Sequence, residues 1–192
     1  MNLPNKLTVA RMIATPFFML FMLWEFKYNY LVALVLFVLA SLTDWLDGKI
    51  ARKYNLITDF GKFLDPIADK MLTTAALIGF AYKQVGFGIA WIMFIVLFRE
   101  FLIASLRMVA ASSSKAKVVA ANIWGKAKTV SQMVAIIFVL AAEQVKVLVN
   151  NANATKALDI SGDVLLWVSA ILCIISGVIY VIDNKEFVNT SK

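Results

Sequence analysis

Histidine is absent from this chain, and cysteine occurs once, at Cys173. Without histidine there is no imidazole for acid–base catalysis and no histidine zinc site. A lone cysteine allows no intrachain disulfide. Charge is scarce as well. Only 16% of the residues are Asp, Glu, Lys or Arg, against about a quarter in ordinary soluble domains. Instead 61% are hydrophobic, and a domain of 192 residues cannot hide that much apolar surface in its own core. These shortages set aside a soluble globular enzyme, a disordered tail and a disulfide scaffold. They leave one integral membrane domain, all-α, over residues 1–192. Any metal chemistry must rest on oxygen ligands, and the eight Asp residues are the obvious supply.

A membrane span needs about 20 mostly apolar residues. Six stretches are candidates, roughly 13–24, 30–46, 67–81, 87–108, 130–149 and 164–181. Ahead of the first, Pro4-Asn5-Lys6-Leu7-Thr8 predicts a short interfacial helix lying flat on the membrane. No small-residue cleavage site follows that stretch, so no cleavable signal peptide is expected. The net charge of +7 points to loop orientation and anionic lipid, with no nucleic-acid partner. All but Lys27, Lys83, Lys146 and Lys156 of the 19 basic residues collect on one side of the six spans. That asymmetry predicts a multi-pass protein with both termini in the cytoplasm. The compact chain suggests a bacterial cell membrane. Glu143, Lys146, Asp159 and Asp163 read as solvated charge on the far side, and Cys173 as inert packing among Leu172 and Ile174.

Five of the eight Asp fall between positions 44 and 69. Asp44 and Asp47 close the second span; Asp65 and Asp69 open the third. Spaced three and four apart, each pair shares one face of its helix. Gly48 follows Asp44 by four residues and Gly61 precedes Asp65 by four, so each pair has a glycine on its own stripe, where a bulky ligand can approach the backbone. Pro66 is expected near the start of the third helix or at a kink. A single Asp here would read as a helix cap or a partner for Lys49, Arg52, Lys62 or Lys70. Four facing carboxylates at low dielectric must instead protonate or bind cations. Two divalent ions, Mg²⁺ or Mn²⁺, balance the charge. Paired metals of this kind serve displacement at phosphorus.

The run Asp44-Trp45-Leu46-Asp47-Gly48-Lys49-Ile50-Ala51-Arg52, then eight residues, then Gly61-Lys62-Phe63-Leu64-Asp65-Pro66-Ile67-Ala68-Asp69 resembles the signature of the CDP-alcohol phosphatidyltransferases, D-x2-D-G-x2-A-R-x8-G-x3-D-x3-D. Every fixed position is filled, and the likeness extends over nearly the whole chain. The resemblance implies six membrane helices and displacement of CMP from a CDP-linked lipid or alcohol. It implies metal ligation by Asp44, Asp47 and Asp65. Asp69 would also touch the metal and act as general base. Gly48, Ala51, Arg52, Thr58 and Gly61 would form the nucleotide pocket, with Asn5 and Thr8 reaching it unless they only cap the first helix. Family members are often homodimers, with the third or fourth helix as a face for the contact.

The signature does not name the acceptor alcohol. Arg99 lies well inside the fourth span, where a charge is costly and by default functional. With Arg107 and Lys126 it offers three cations for an anionic acceptor, and the Arg fork suits phosphate. The bland readings are a structural pair of Arg99 with Glu100 or with a signature Asp, and a solvated rim for Arg107, Lys126 and, above all, Lys128. The segments Arg99-Glu100 with Arg107, Gly125-Lys126-Ala127-Lys128-Thr129 with Gln132, and Asn5-Lys6-Leu7-Thr8 with Arg11 resemble the branch of the family that uses sn-glycerol 3-phosphate with CDP-diacylglycerol. Serine, an inositol phosphate or phosphatidylglycerol stand as other acceptors. Outside enzymes, the alternatives are a cation transporter and a non-catalytic lipid-binding protein.

Overall fold

Six helices and no strand make up the described residues of the computed structural model, which are 2–54, 58–112, 123–149 and 151–185. Side chains at 45, 47, 51–53, 59, 62, 111 and 112 lie outside the description. The helices are α1 Leu3–Leu23, α2 Asn29–Lys53, α3 Asp59–Tyr82, α4 Ile89–Ser112, α5 Ile123–Leu148 and α6 Ala152–Asp183. Five of them are long and apolar enough to cross a bilayer. The exception is α3, whose first half carries Asp59, Lys62, Asp65, Asp69 and Lys70. Each helix outruns the apolar stretch that announced it, because polar residues extend it at the ends.

Packing closes a ring in the order α1, α2, α5, α6, α4, α3 and back to α1, with α3 also touching α5 and α2. Successive helices run in opposite directions, as ties at the two ends show. At one end Lys83 pairs with Glu25 at 3.3 Å, joining the ends of α3 and α1. At the same end Gln144 of α5 accepts from the Leu31 N–H at 2.9 Å and donates to the Lys27 carbonyl at 2.9 Å. Between α3 and α4 the chain turns through Gly86 (φ +95°) and Gly88 (φ +67°), conformations that glycine adopts without penalty. A Cβ at Gly88 would also stand 3.0 Å from the Trp167 ring, whose indole N–H donates to the Phe87 carbonyl.

The core is Phe18, Met22, Phe37, Leu77, Phe80, Ile136 and their neighbours, all essentially sealed from the outside. Outward faces keep Phe17, Leu39, Phe94, Phe98 and Ile171 exposed, as a bilayer-facing surface requires. Polar residues follow the reverse rule and turn inward.

Two expectations change. Residues 4–8 form no separate interfacial helix. They are the first turns of α1, because Pro4 suits the first helical turn and the Asn2 side chain caps it by accepting from the Asn5 N–H at 3.1 Å. Nor are the far-side charges merely solvated. Lys146 joins Glu143 to Asp159, and Asp163 accepts the Phe87 N–H at 2.7 Å, stitching the loops to α6. Pro66, expected near the start of α3 or at a kink, lies inside the helix, at the cost of one helix hydrogen bond beside Asp65.

Gln144 is buried and bridges α5 to the chain at the start of α2, so Gln144→Met takes a hydrogen-bond partner from two backbone groups. We expect a loss of about 1–3 kcal/mol, measured as a lowered thermal unfolding midpoint in detergent. An unchanged midpoint contradicts this role.

Candidate active site

The inner face of α1 is polar at its N-terminal end. Asn5, Thr8, Arg11 and Thr15 are spaced three or four apart, and all are buried. In a lipid-facing bundle this is the arrangement that keeps polar groups off the hydrocarbon. Thr8 and Arg11 reach the neighbouring carboxylates, Asn5 reaches Thr58, and the Thr15 hydroxyl donates to the Arg11 carbonyl at 3.0 Å.

Arg11 sits at the centre. Its guanidinium pairs with Asp44 of α2, and the same nitrogen, Nη1, donates to Asp69 Oδ1 of α3 at 2.7 Å. Its side chain is only 2% exposed, while those of Asp44 and Asp69 are 38% and 52% exposed. The cation is thus sealed below a pair of acids that open outward. One turn earlier on α1, the Thr8 hydroxyl lies 3.0 Å from Asp65 Oδ1 and 3.2 Å from the Pro4 carbonyl. Asp44 and Asp69 share Arg11 Nη1, and Asp65 lies one turn before Asp69 on the same helix. Three of the four signature acids therefore belong to one group, and the side chain of the fourth, Asp47, lies outside the described residues.

Before α3 the chain is fixed by Thr58. Its hydroxyl accepts the Gly61 N–H at 3.1 Å, capping the helix, and the Asn5 amide donates to that hydroxyl at 2.9 Å. Gly61 is buried against both. A Cβ there would stand 2.9 Å from Asn5 Oδ1 and 3.3 Å from Thr58 Oγ1. Gly61 therefore permits this junction of α1 with α3, a packing role beside the nucleotide role read from the sequence. Gly48 is half-buried on α2, four residues past Asp44. The side chains of Ala51 and Arg52 lie outside the described residues.

A second charged group flanks the first. Glu100 of α4 accepts from Arg99 Nη1 at 3.1 Å, pairs with Lys128 of α5, and lies 3.4 Å from Lys70 Nζ of α3. Arg99 Nη2 donates to Ser176 Oγ of α6 at 2.7 Å. The stem of Arg99 runs over Gly177, where a Cβ would stand 3.2 Å from Arg99 Cγ. Arg107 donates from Nε to the Tyr180 hydroxyl at 3.2 Å and lies 5.7 Å from that ring. Ser176 and Tyr180 are four apart on α6, so one face of that helix holds both arginines.

The sequence reading of this group needs amendment. Arg99 does pair with Glu100. Lys126 is exposed, whereas Lys128, read as rim, is buried and paired. Residues two apart on a helix point to opposite sides, so only one of the two can face inward. Arg11 as the link between α2 and α3, Glu100 as the hub, and the α6 partners were all missed. Polar residues at 5, 8, 11 and 15, spaced for one helix face, were the available signal for the first.

Beside Lys70 and Glu100 a cavity of ≈ 630 Å³ opens between α1, α3 and α4. Away from those two charges and a few threonines its walls are apolar, including Met19, Ile67, Met71, Ile78, Leu97 and Phe101.

The donors present suit a hard divalent cation. Asp44 and Asp69 already converge on one positive centre through oxygens alone, the chemistry such ions select. Among the described residues no three acids converge closely enough to enclose an ion. Arg11 stands between two of them, and the Asp47 side chain is outside the description.

Comparison with known proteins agrees with this architecture. Residues 1–175 match the family model described as CDP-alcohol phosphatidyltransferase. The chain is 40% identical to the CDP-diacylglycerol–glycerol-3-phosphate 3-phosphatidyltransferase of Bacillus subtilis, covering 99% of this chain and 98% of that protein. A protein of the same name from Rickettsia bellii is 40% identical, over 97% of both chains. One from Haemophilus influenzae is 36% identical, over 93% of this chain and 91% of its own. This chain belongs to the CDP-alcohol phosphatidyltransferase family.

Proposed function

We propose that the protein transfers the phosphatidyl group of CDP-diacylglycerol to sn-glycerol 3-phosphate, releasing CMP and leaving phosphatidylglycerophosphate, at the cytoplasmic face of a bacterial cell membrane. The observation that carries this reading is the convergence of Asp44 and Asp69, from two helices, on the single nitrogen of Arg11. It brings the two halves of the signature to one point. The names of the relatives supply the acceptor, and the cations of α3, α4 and α5 around Glu100 suit its charge.

In this reading the nucleotide lies over Gly48, Ala51, Arg52, Thr58 and Gly61, with Asn5 and Thr8 beneath it. The ≈ 630 Å³ cavity offers an apolar wall to an acyl chain. Asp44, Asp47, Asp65 and Asp69 would hold two divalent cations, Mg²⁺ or Mn²⁺, which when bound supply positive charge against the phosphoryl oxygens. Asp69 takes the proton from the glycerol phosphate hydroxyl as its oxygen attacks the phosphorus bearing diacylglycerol. The bond from that phosphorus to the CMP oxygen breaks, and CMP leaves. Arg11 holds Asp69 in place from below. Arg99, Arg107 and Lys128 bind the acceptor phosphate, and Lys126, on the other side of α5, only draws it toward the exposed rim.

Purified protein given CDP-diacylglycerol should form phosphatidylglycerophosphate with glycerol 3-phosphate, and no lipid product with serine, inositol phosphate or phosphatidylglycerol. EDTA should stop CMP release. Another product reassigns the acceptor, and EDTA-resistant release removes the metals. Asp69→Asn should lower turnover by about 10²–10⁴-fold while CDP-lipid binding stays measurable; full activity takes Asp69 out of the reaction. Arg107→Ala should raise the KM for glycerol phosphate about tenfold, the loss of one charge-assisted hydrogen bond, with the KM for CDP-lipid little changed. An unaltered glycerol phosphate saturation curve moves the acceptor site elsewhere.

A further inference from the structure

Glu100 is an acid among bases, and nothing in the signature accounts for it. One oxygen, Oε1, meets both Arg99 and Lys128, while Oε2 meets Lys70. Three helices thus send a cation each to one carboxylate. The side chains of Glu100, Arg99 and Lys128 are 17%, 13% and 7% exposed. Lys70 is 42% exposed and reaches solvent, but the two buried cations Arg99 and Lys128 still outnumber the one carboxylate, in a place where unpaired charge is expensive.

Two hydrogen-bond donors nearby are also unused. Among the described residues, Arg99 Nε and Gln132 Nε2 are buried without a partner. Gln132 follows Lys128 by four residues, on the same face of α5. Spare donors beside a buried positive excess, with Lys70 at its edge, fit a phosphate monoester, which carries about −1.5 to −2 near neutral pH and three acceptor oxygens.

We propose that Glu100 is a positioning residue for the acceptor. Its carboxylate holds Arg99 and Lys128 as a fixed pair of donors for a phosphate monoester, and so makes the site select such acceptors over neutral alcohols. The inference rests on the reading in which glycerol phosphate is the acceptor. Glu100 borders the cavity given to the acyl chain, but toward the acceptor it acts only through the two cations. Without it, Arg99 and Lys128 repel each other, and the flexible lysine stem has no anchor in the bundle.

The sign of the effect separates positioning from bulk charge. Glu100→Gln makes the site more positive, so simple attraction would tighten glycerol phosphate binding. Positioning demands the opposite. We expect the KM for glycerol phosphate to rise about tenfold or more, the KM for CDP-diacylglycerol to stay within about twofold, and Glu100→Asp to recover much of the loss. A lower or unchanged KM for glycerol phosphate overturns the proposal, as does an equal rise for both substrates, which marks a structural role. If the Gln variant does not fold, the Asp variant carries the test: it must show the same selective rise in smaller measure, and an unchanged KM overturns the proposal. The parent protein is assayed alongside. Failure of the parent to make phosphatidylglycerophosphate sinks the acceptor reading itself, whereas an active parent with an indifferent Glu100 variant sinks only this inference.

Discussion

The buried guanidinium of Arg11, held by Asp44 of α2 and Asp69 of α3, is the interaction on which the site depends. A cation sealed at 2% exposure inside an apolar bundle is tolerable only with its counter-charges in place. The two carboxylates, in turn, are held together against their own repulsion by the cation beneath them. Removing the acids leaves a buried cation that the surroundings cannot solvate, and removing the cation leaves two acids that repel each other. α1, α2 and α3 are thereby locked at one end of the ring, and the rest of the polar stripe, Thr8 to Asp65 and Asn5 to Thr58, follows in register.

Lys70 adjoins Asp69 in the chain, yet the two serve different groups. Neighbouring residues on a helix are turned about 100° from one another, so Asp69 faces α1 and α2 while Lys70 faces Glu100 on α4. α3 therefore separates a cluster rich in carboxylates from one rich in cations by a single residue. In the proposed reaction the first meets the donor's pyrophosphate and the second the acceptor's phosphate. The acceptor's phosphate would meet opposite charge directly, whereas the donor's pyrophosphate would need the divalent cations that the carboxylates would hold, and the helix between the two groups fixes their separation.

The fold was largely legible because lipid imposes a strong filter. With no water to solvate the backbone, apolar stretches near 20 residues become helices, and all six stretches did. The helix ends were not legible, since capping by Asn2 and Thr58 depends on which polar residues the bundle turns inward. The carboxylates could be read because their signature is contiguous: Asp44 to Asp69 spans one connection. The cations could not. Lys128 and Lys126 are equally charged and two residues apart, and only the rotation of α5 within the ring decides which is buried. Glu100 was visible as a partner for Arg99, but its contacts with Lys70 and Lys128 cross three helices, and no local spacing carries that information.

α3 shows how the chemistry limits the architecture. Its carboxylates and lysines deny it the apolar length that the other five helices have. It is the one helix that a bilayer alone would not stabilise, so it must be held by protein. It touches α1, α4, α5 and α2, and its polar half is fastened by Thr8, Arg11 and Glu100 rather than by apolar burial. Ala68, Leu72, Ala75 and Ala76 bury its inward face with small and medium side chains, which lets the neighbouring helices come close enough for those polar contacts to form. A helix so placed can expose Asp65 and Asp69 at the surface of the bundle and still have a fixed position. That combination, reactive acids on an element clamped from several sides, is what preorganisation of a site requires.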